Sequence, residues 1–156
     1  MSNNQNKKIS LPSKILVFVL FILYMIVLTG LLLFSFRAPA AILSAGFDPG
    51  SINNVVNLTP LKTIRLYMRN INTISVVNLL GNILVFLPAG FFTGFFFRQG
   101  KFVFCAIITA LVSLIFESLQ IFLSVGRFDV DDILLNTIGG ILGFIIIRII
   151  QSCKKT

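Results

Sequence analysis

Apolar residues fill four long stretches of this chain, at residues 15–36, 74–97, 102–125 and 133–150. Each approaches the roughly 20 residues that a helix needs to cross about 30 Å of hydrocarbon. The pattern predicts an all-α fold: a polytopic membrane protein built as a four-transmembrane-helix bundle, one membrane domain over residues 1–156. Lipid covers the outside of such a bundle, and small or polar residues pack its inside. A secretory signal has an apolar core of about 7–15 residues. Lys7, Lys8 and Lys14 precede the first run and Ala38-Pro-Ala40 follows it, as in such a signal. The run over residues 15–36 is longer than a signal core, so it reads as a retained helix.

The one long connection, residues 37–73, changes character along its length. Asp48-Pro-Gly50 and Asn53-Asn54 mark turns. From Pro60 onward Lys62, Arg65 and Arg69 recur at helical spacing, while Leu61, Ile64 and Met68 fall on another face. Pro suits the first turn of a helix. The segment therefore reads as a short amphipathic helix on the membrane surface, with an ordinary loop of solvated charges as the other reading.

The chain is 156 residues long, with 13 Lys and Arg, 5 Asp and Glu and a net charge of +8. A basic balance of this size raises nucleic-acid binding, but that function requires a solvated domain to carry the patch. Here the basic residues fall at the ends of apolar runs, as topology signals and lipid-headgroup contacts. With the N-terminus inside, Lys7, Lys8, Lys14, Arg98, Lys101, Arg148, Lys154 and Lys155 are cytoplasmic, and Arg37, Lys62, Arg65, Arg69 and Arg127 are external. The bias favours a multi-pass protein with residues 1–14 and 151–156 cytoplasmic and loop 37–73 outside. Two cysteines, Cys105 and Cys153, have no ligand-like spacing, and the chain has no His. This argues against a zinc site and a disulfide framework, and it removes Ser-His and Cys-His nucleophile pairs. No phosphate-binding Gly loop and no His-Glu-x-x-His or Gly-x-Ser-x-Gly motif is present; no cofactor is implied.

Four of the five acidic residues lie between Glu117 and Asp132, in a chain that is 56% hydrophobic. Glu117 sits well inside an apolar run, where an ionisable group is costly and points to function. At about 1.5 Å of rise per residue, Asn78 and Asn82 lie roughly 6 and 12 Å inside the second helix. On the same scale Glu117 and Gln120 lie roughly 12 and 8 Å below the outer surface, and Asn136 about 6 Å in. Asn78 with Asn82 share one helix face, as do Glu117 with Gln120, and Ser113 extends the latter. These side chains are expected to face one another. Arg127 can hold a carboxylate, and Asp129, Asp131 and Asp132 stand where carboxylates cap a helix start. The expected pocket is therefore Asn78, Asn82, Glu117, Gln120, Arg127, Asp129, Asp132 and Asn136. Three readings of it stand open: helix locking, acid–base chemistry by Glu117 with Asp132 or Asp129, and cation binding by hard oxygen ligands. Pro88 in the second helix reads as a kink that neighbouring helices tolerate, and Gly90 and Gly94 there, with Gly139, Gly140 and Gly143 in the fourth, read as packing positions.

At these residues the sequence resembles the VanZ-like family of bacterial membrane proteins. The resemblance is carried by Asn57-Leu-Thr-Pro60 with Lys62-Thr-Ile64, and by Asn78-Leu-Leu-Gly-Asn82 with Phe86-Leu-Pro88-Ala-Gly90. It continues through Glu117-x-x-Gln120, Gly126-Arg127 and Asp129-Val-Asp131-Asp132-Ile-Leu-Leu-Asn136-Thr-Ile-Gly139. Leu61 stands where the family often has an aromatic residue. The resemblance implies a protein of the cytoplasmic membrane in a bacterium with a thick cell wall, associated with resistance to glycopeptide antibiotics, teicoplanin above all. It implies as partners membrane lipid and a glycopeptide or lipid-linked wall precursor. The functions that follow are an envelope protein that lowers glycopeptide susceptibility, an enzyme acting on a lipid-linked wall intermediate, or a structural partner.

The topology has a direct check. A cysteine at Ser51 is expected to react with a membrane-impermeant maleimide in intact cells, and one at Gln99 is not. Labelling at Gln99 alone inverts the arrangement.

Overall fold

A computed structural model of the chain describes residues 11–34, 56–97, 100–123 and 125–153. Among these residues the chain forms α1 (Leu11–Phe34), β1 (Val56–Asn57), α2 (Lys62–Arg69), α3 (Thr73–Phe96), α4 (Phe102–Phe122), β2 (Phe128–Asp129) and α5 (Val130–Cys153). The four longer helices are each long and apolar enough to cross a membrane. The turns expected near Asp48 and Asn53, and the charges Lys7, Lys8, Arg37, Arg98, Lys154 and Lys155, lie outside the described residues.

The helix ends differ from the apolar runs where polar residues extend a helix. α5 starts at Val130, so Asp131 and Asp132 lie in its first turn, where carboxylates complement the free N–H groups. α3 is capped by Asn72, whose Oδ1 accepts from Ser75 N at 2.8 Å. Pro60 precedes α2 instead of opening it. Between them Leu61 is left-handed at φ 63°, the only non-glycine residue with positive φ among those described.

The bundle is held by small residues more than by large ones. Most large apolar side chains point outward, Leu84, Ile115 and Ile149 among them, as a lipid-facing surface requires. Helices in lipid gain little from apolar burial against one another, so close packing and hydrogen bonds decide their association. α5 is the most buried of the four and α1 the least. A Cβ added at Gly139 would lie 2.1 Å from Ile83 O, and one at Gly143 would lie 1.8 Å from Leu87 O. A Cβ on Gly90 would stand 1.7 Å from Gly140 O. The backbones of α3 and α5 thus meet with nothing between them. Gly140 also admits Thr109 of α4, whose Oγ1 would lie 2.3 Å from an added Cβ.

A small apolar cluster of Leu28, Phe86 and Phe116 joins α1 to α3 and α4. Tyr24 Oη donates to Val85 O at 3.0 Å, one turn before Pro88, which lies within α3 without ending it. At the far end of the bundle, Arg148 Nη2 donates to Phe97 O at 3.0 Å and Gly100 O at 2.7 Å. That contact ties the α3–α4 connection to α5.

The glycine surface gives a graded expectation. Gly143→Ala forces backbone apart and is expected to cost about 1–3 kcal/mol, the usual range for overpacking. Gly81→Ala has nothing within 4 Å of the new Cβ and is expected to be neutral or stabilising. Thermal unfolding of both variants in one detergent checks the difference.

Candidate functional site

The polar residues gather where the segment ahead of α2 meets the start of α5. β1 and β2 pair in parallel, with Val56 opposite Phe128 and Asn57 opposite Asp129. Asp129 Oδ1 accepts from Asn57 Nδ2 at 3.0 Å and from Asp131 N at 2.9 Å, and its Oδ2 accepts from Thr63 Oγ1 at 2.5 Å. Asn57 Nδ2 also donates to Thr63 Oγ1 at 3.1 Å, and Asn57 Oδ1 accepts from Thr59 N at 3.2 Å. Asp129 therefore caps its own helix and grips the segment ahead of α2 at once.

Asp131 does not cap the helix it belongs to. It is 0% exposed, and its carboxylate turns to α2. Oδ1 accepts from Leu61 N at 2.5 Å; Oδ2 accepts from Thr63 N at 2.7 Å and Ile64 N at 3.1 Å. α2 has no acidic residue in its first turn and no side-chain cap of its own. Asp131 supplies from α5 the anion that a helix N-terminus favours. The left-handed Leu61, a conformation that costs an L-residue roughly 1–2 kcal/mol, turns its N–H to the same carboxylate.

Beneath this clamp lie residues of α3, α4 and α5. Glu117 is buried, and its Oε2 accepts from Asp129 N at 3.0 Å. Asp132 is buried, and Asn82 Nδ2 donates to its Oδ1. One turn deeper, Asn136 Nδ2 donates to Ser113 Oγ at 2.8 Å. Gln120 Nε2 donates to Leu32 O of α1 at 2.8 Å, and its backbone O accepts from Val125 N and Gly126 N at 2.9 and 3.2 Å. A Cβ added at Gly126 would lie 2.9 Å from Gln120 Oε1, so the Gln120 side chain would have to shift. Two buried acceptors, Gln120 Oε1 and Asn136 Oδ1, have no hydrogen-bond partner among the described residues. No group of three or more His, Cys, Asp or Glu among those residues is arranged to hold a metal ion.

Two residues of the expected pocket stand apart. Asn78 Nδ2 donates to Tyr67 Oη at 3.1 Å, so it joins α3 to α2 instead of meeting Glu117. Arg127 is exposed and makes no hydrogen bond or ion pair with Asp132, which takes Asn82 as a donor. The sequence reading passed over Tyr67 and gave Asn57 and Thr63 no role beyond the resemblance. A signal for them exists: a helix start with no Ser, Thr, Asp or Asn at position 61 must find its cap elsewhere.

A profile described as VanZ/LLP1 matches residues 21–151. The chain belongs to the VanZ/LLP1 family. Protein VanZ of Enterococcus faecium is 31% identical to it over 65 residues, which is 42% of this chain and 40% of that protein. The chain thus matches less than half the length of this curated relative. No solved structure matches. In this VanZ/LLP1 member, the separate segments that carried the resemblance meet in one clamp: Asn57 and Thr63 against Asp129, and the start of α2 against Asp131.

The clamp predicts a cost for a near-isosteric change. Thr63→Val removes the hydroxyl between Asn57 and Asp129 and leaves the half-buried Asp129 carboxylate short of a donor. A loss of about 1–3 kcal/mol is expected, read from denaturation in detergent. Lys62→Ala, exposed and one residue away, is expected to stay within about 0.5 kcal/mol of the parent.

Proposed function

We propose that this VanZ/LLP1-family chain is a bacterial cytoplasmic-membrane protein that lowers susceptibility to teicoplanin-type glycopeptides. It does so by binding a polar group of the drug or of a lipid-linked wall precursor at the outer face. Both termini are cytoplasmic in this reading, and α2 lies along the outer leaflet. Lys62, Arg65 and Arg69 are exposed there beside Leu66 and Met68, the combination by which a helix settles at a membrane surface.

The observation that carries the reading is the pair of unpartnered buried acceptors, Gln120 Oε1 and Asn136 Oδ1. A buried acceptor without a donor is costly, and a ligand that brings donors relieves the cost. Glu117 and Asp132 supply acceptors on the same helix faces as Gln120 and Asn136. Arg127, exposed at the mouth, binds an anionic group such as phosphate or carboxylate. Asp129 and Asp131 hold the outer wall in place and do not touch the ligand, since their carboxylates are already occupied by Asn57, Thr63 and backbone N–H groups.

Expression in a susceptible host at matched membrane abundance tests this. The parent chain is expected to raise the inhibitory concentration of teicoplanin, and Glu117→Ala, Arg127→Ala, Asp132→Ala and Asn136→Ala to lose that protection. Glu117→Gln separates binding from an acid–base enzyme. A binder keeps part of its protection, whereas an enzyme acting on a wall intermediate loses all of it. A parent chain that protects against no glycopeptide removes the resistance reading.

A further inference from the structure

The opposite end of the bundle carries an open groove of about 730 Å³, lined by Phe96, Phe97, Gly100, Lys101, Val103, Phe104 and Ile107. This volume falls within the roughly 300–1,000 Å³ of small-molecule sites. Phe97 and Phe104 meet edge to face at 5.1 Å between centroids and form one wall. A Cβ at Gly100 would lie 3.1 Å from Phe97 O and 3.4 Å from Phe104, so this turn stays close to the phenylalanine wall.

The chemistry at the rim is one-sided. The carbonyls of Phe97 and Gly100, which would repel an anion, are both taken by Arg148 Nη2. Lys101 is exposed; its carbonyl accepts from Phe104 N and Cys105 N, and its ammonium makes no hydrogen bond or ion pair among the described residues. No acidic residue lines the groove among the described residues. An apolar trough that ends in an unpaired ammonium matches a ligand with an apolar tail and an anionic head. A purely apolar lipid leaves Lys101 without a counter-charge, and a zwitterionic one brings its phosphate together with a cation of its own that competes with the lysine. We propose that the groove binds an anionic phospholipid, with one acyl chain along the phenylalanine wall and its phosphate on Lys101.

The chain has no Trp, so a single introduced Trp reports on this place alone. The full chain carrying Phe104→Trp is reconstituted into vesicles of phosphatidylcholine with increasing fractions of brominated phosphatidylglycerol or brominated phosphatidylcholine. Half-quenching is expected at a phosphatidylglycerol fraction about fivefold lower, the advantage of roughly one surface cation. Adding Lys101→Glu is expected to abolish the advantage, while adding Lys62→Glu leaves it intact. A Trp at Ile115, exposed two turns away on α4, is expected to show no preference between the lipids. If Phe104→Trp does not fold, Ile107→Trp serves as the reporter. Equal quenching by both lipids at the groove, an advantage that survives Lys101→Glu, or the same advantage at Ile115 each overturns the proposal.

Discussion

The carboxylate of Asp131 is the contact on which the arrangement around the site depends. It is fully buried and takes three backbone N–H groups from the start of α2. Each of those donors would otherwise be left at a helix end with no intrahelical partner. A carboxylate that takes several N–H groups at a helix start gains from charge-assisted bonds and from the helix dipole together. The position of α2 over the bundle is thereby set by a residue of α5. Asp129, two residues earlier, repeats the logic through Asn57 and Thr63. Glu117 in turn holds Asp129 by its backbone N–H. The segment ahead of α2, the loop before α5 and the long helices form one connected network, and a change in any of them is felt at the others.

A second constraint gives that network its foundation. Asp131, Asp132 and Asn136 are aligned only because α5 is fixed closely against α3 and α4. That closeness comes from Gly139, Gly140 and Gly143, which bring Ile83 O, Thr109 and Leu87 O to distances that no side chain would allow. Asn82 can then reach Asp132 and Ser113 can reach Asn136. In lipid, polar contacts between helices contribute alongside packing, and here both occur on the same faces of the same helices.

Much of this was legible in the sequence. The length and hydropathy of four runs fixed the number of crossing helices, since few soluble folds tolerate such stretches. The 117/120 spacing placed Glu117 and Gln120 on one inward face, because helix periodicity leaves little freedom. The Asp131 contact was not legible. A carboxylate at a helix start reads as the cap of its own helix, and only the three-dimensional return of the chain shows that it caps another. Arg127 misled for a related reason: proximity in sequence to three Asp residues suggests pairing, yet Asn57, Thr63, Asn82 and backbone N–H groups take up contacts on those carboxylates. Asn78 shares a face with Asn82 but lies one turn nearer α2, so it meets Tyr67.

The most direct test of the central claim is amide hydrogen exchange at Leu61, Thr63 and Ile64. In the parent chain these three amides are expected to exchange slowly despite their place at the start of a short, largely exposed helix. In Asp131→Ala they are expected to exchange at least about a hundredfold faster, the factor that corresponds to roughly 2.8 kcal/mol of lost protection, with amides in the middle of α5 unchanged. Equal exchange at the three positions in parent and variant would contradict the account.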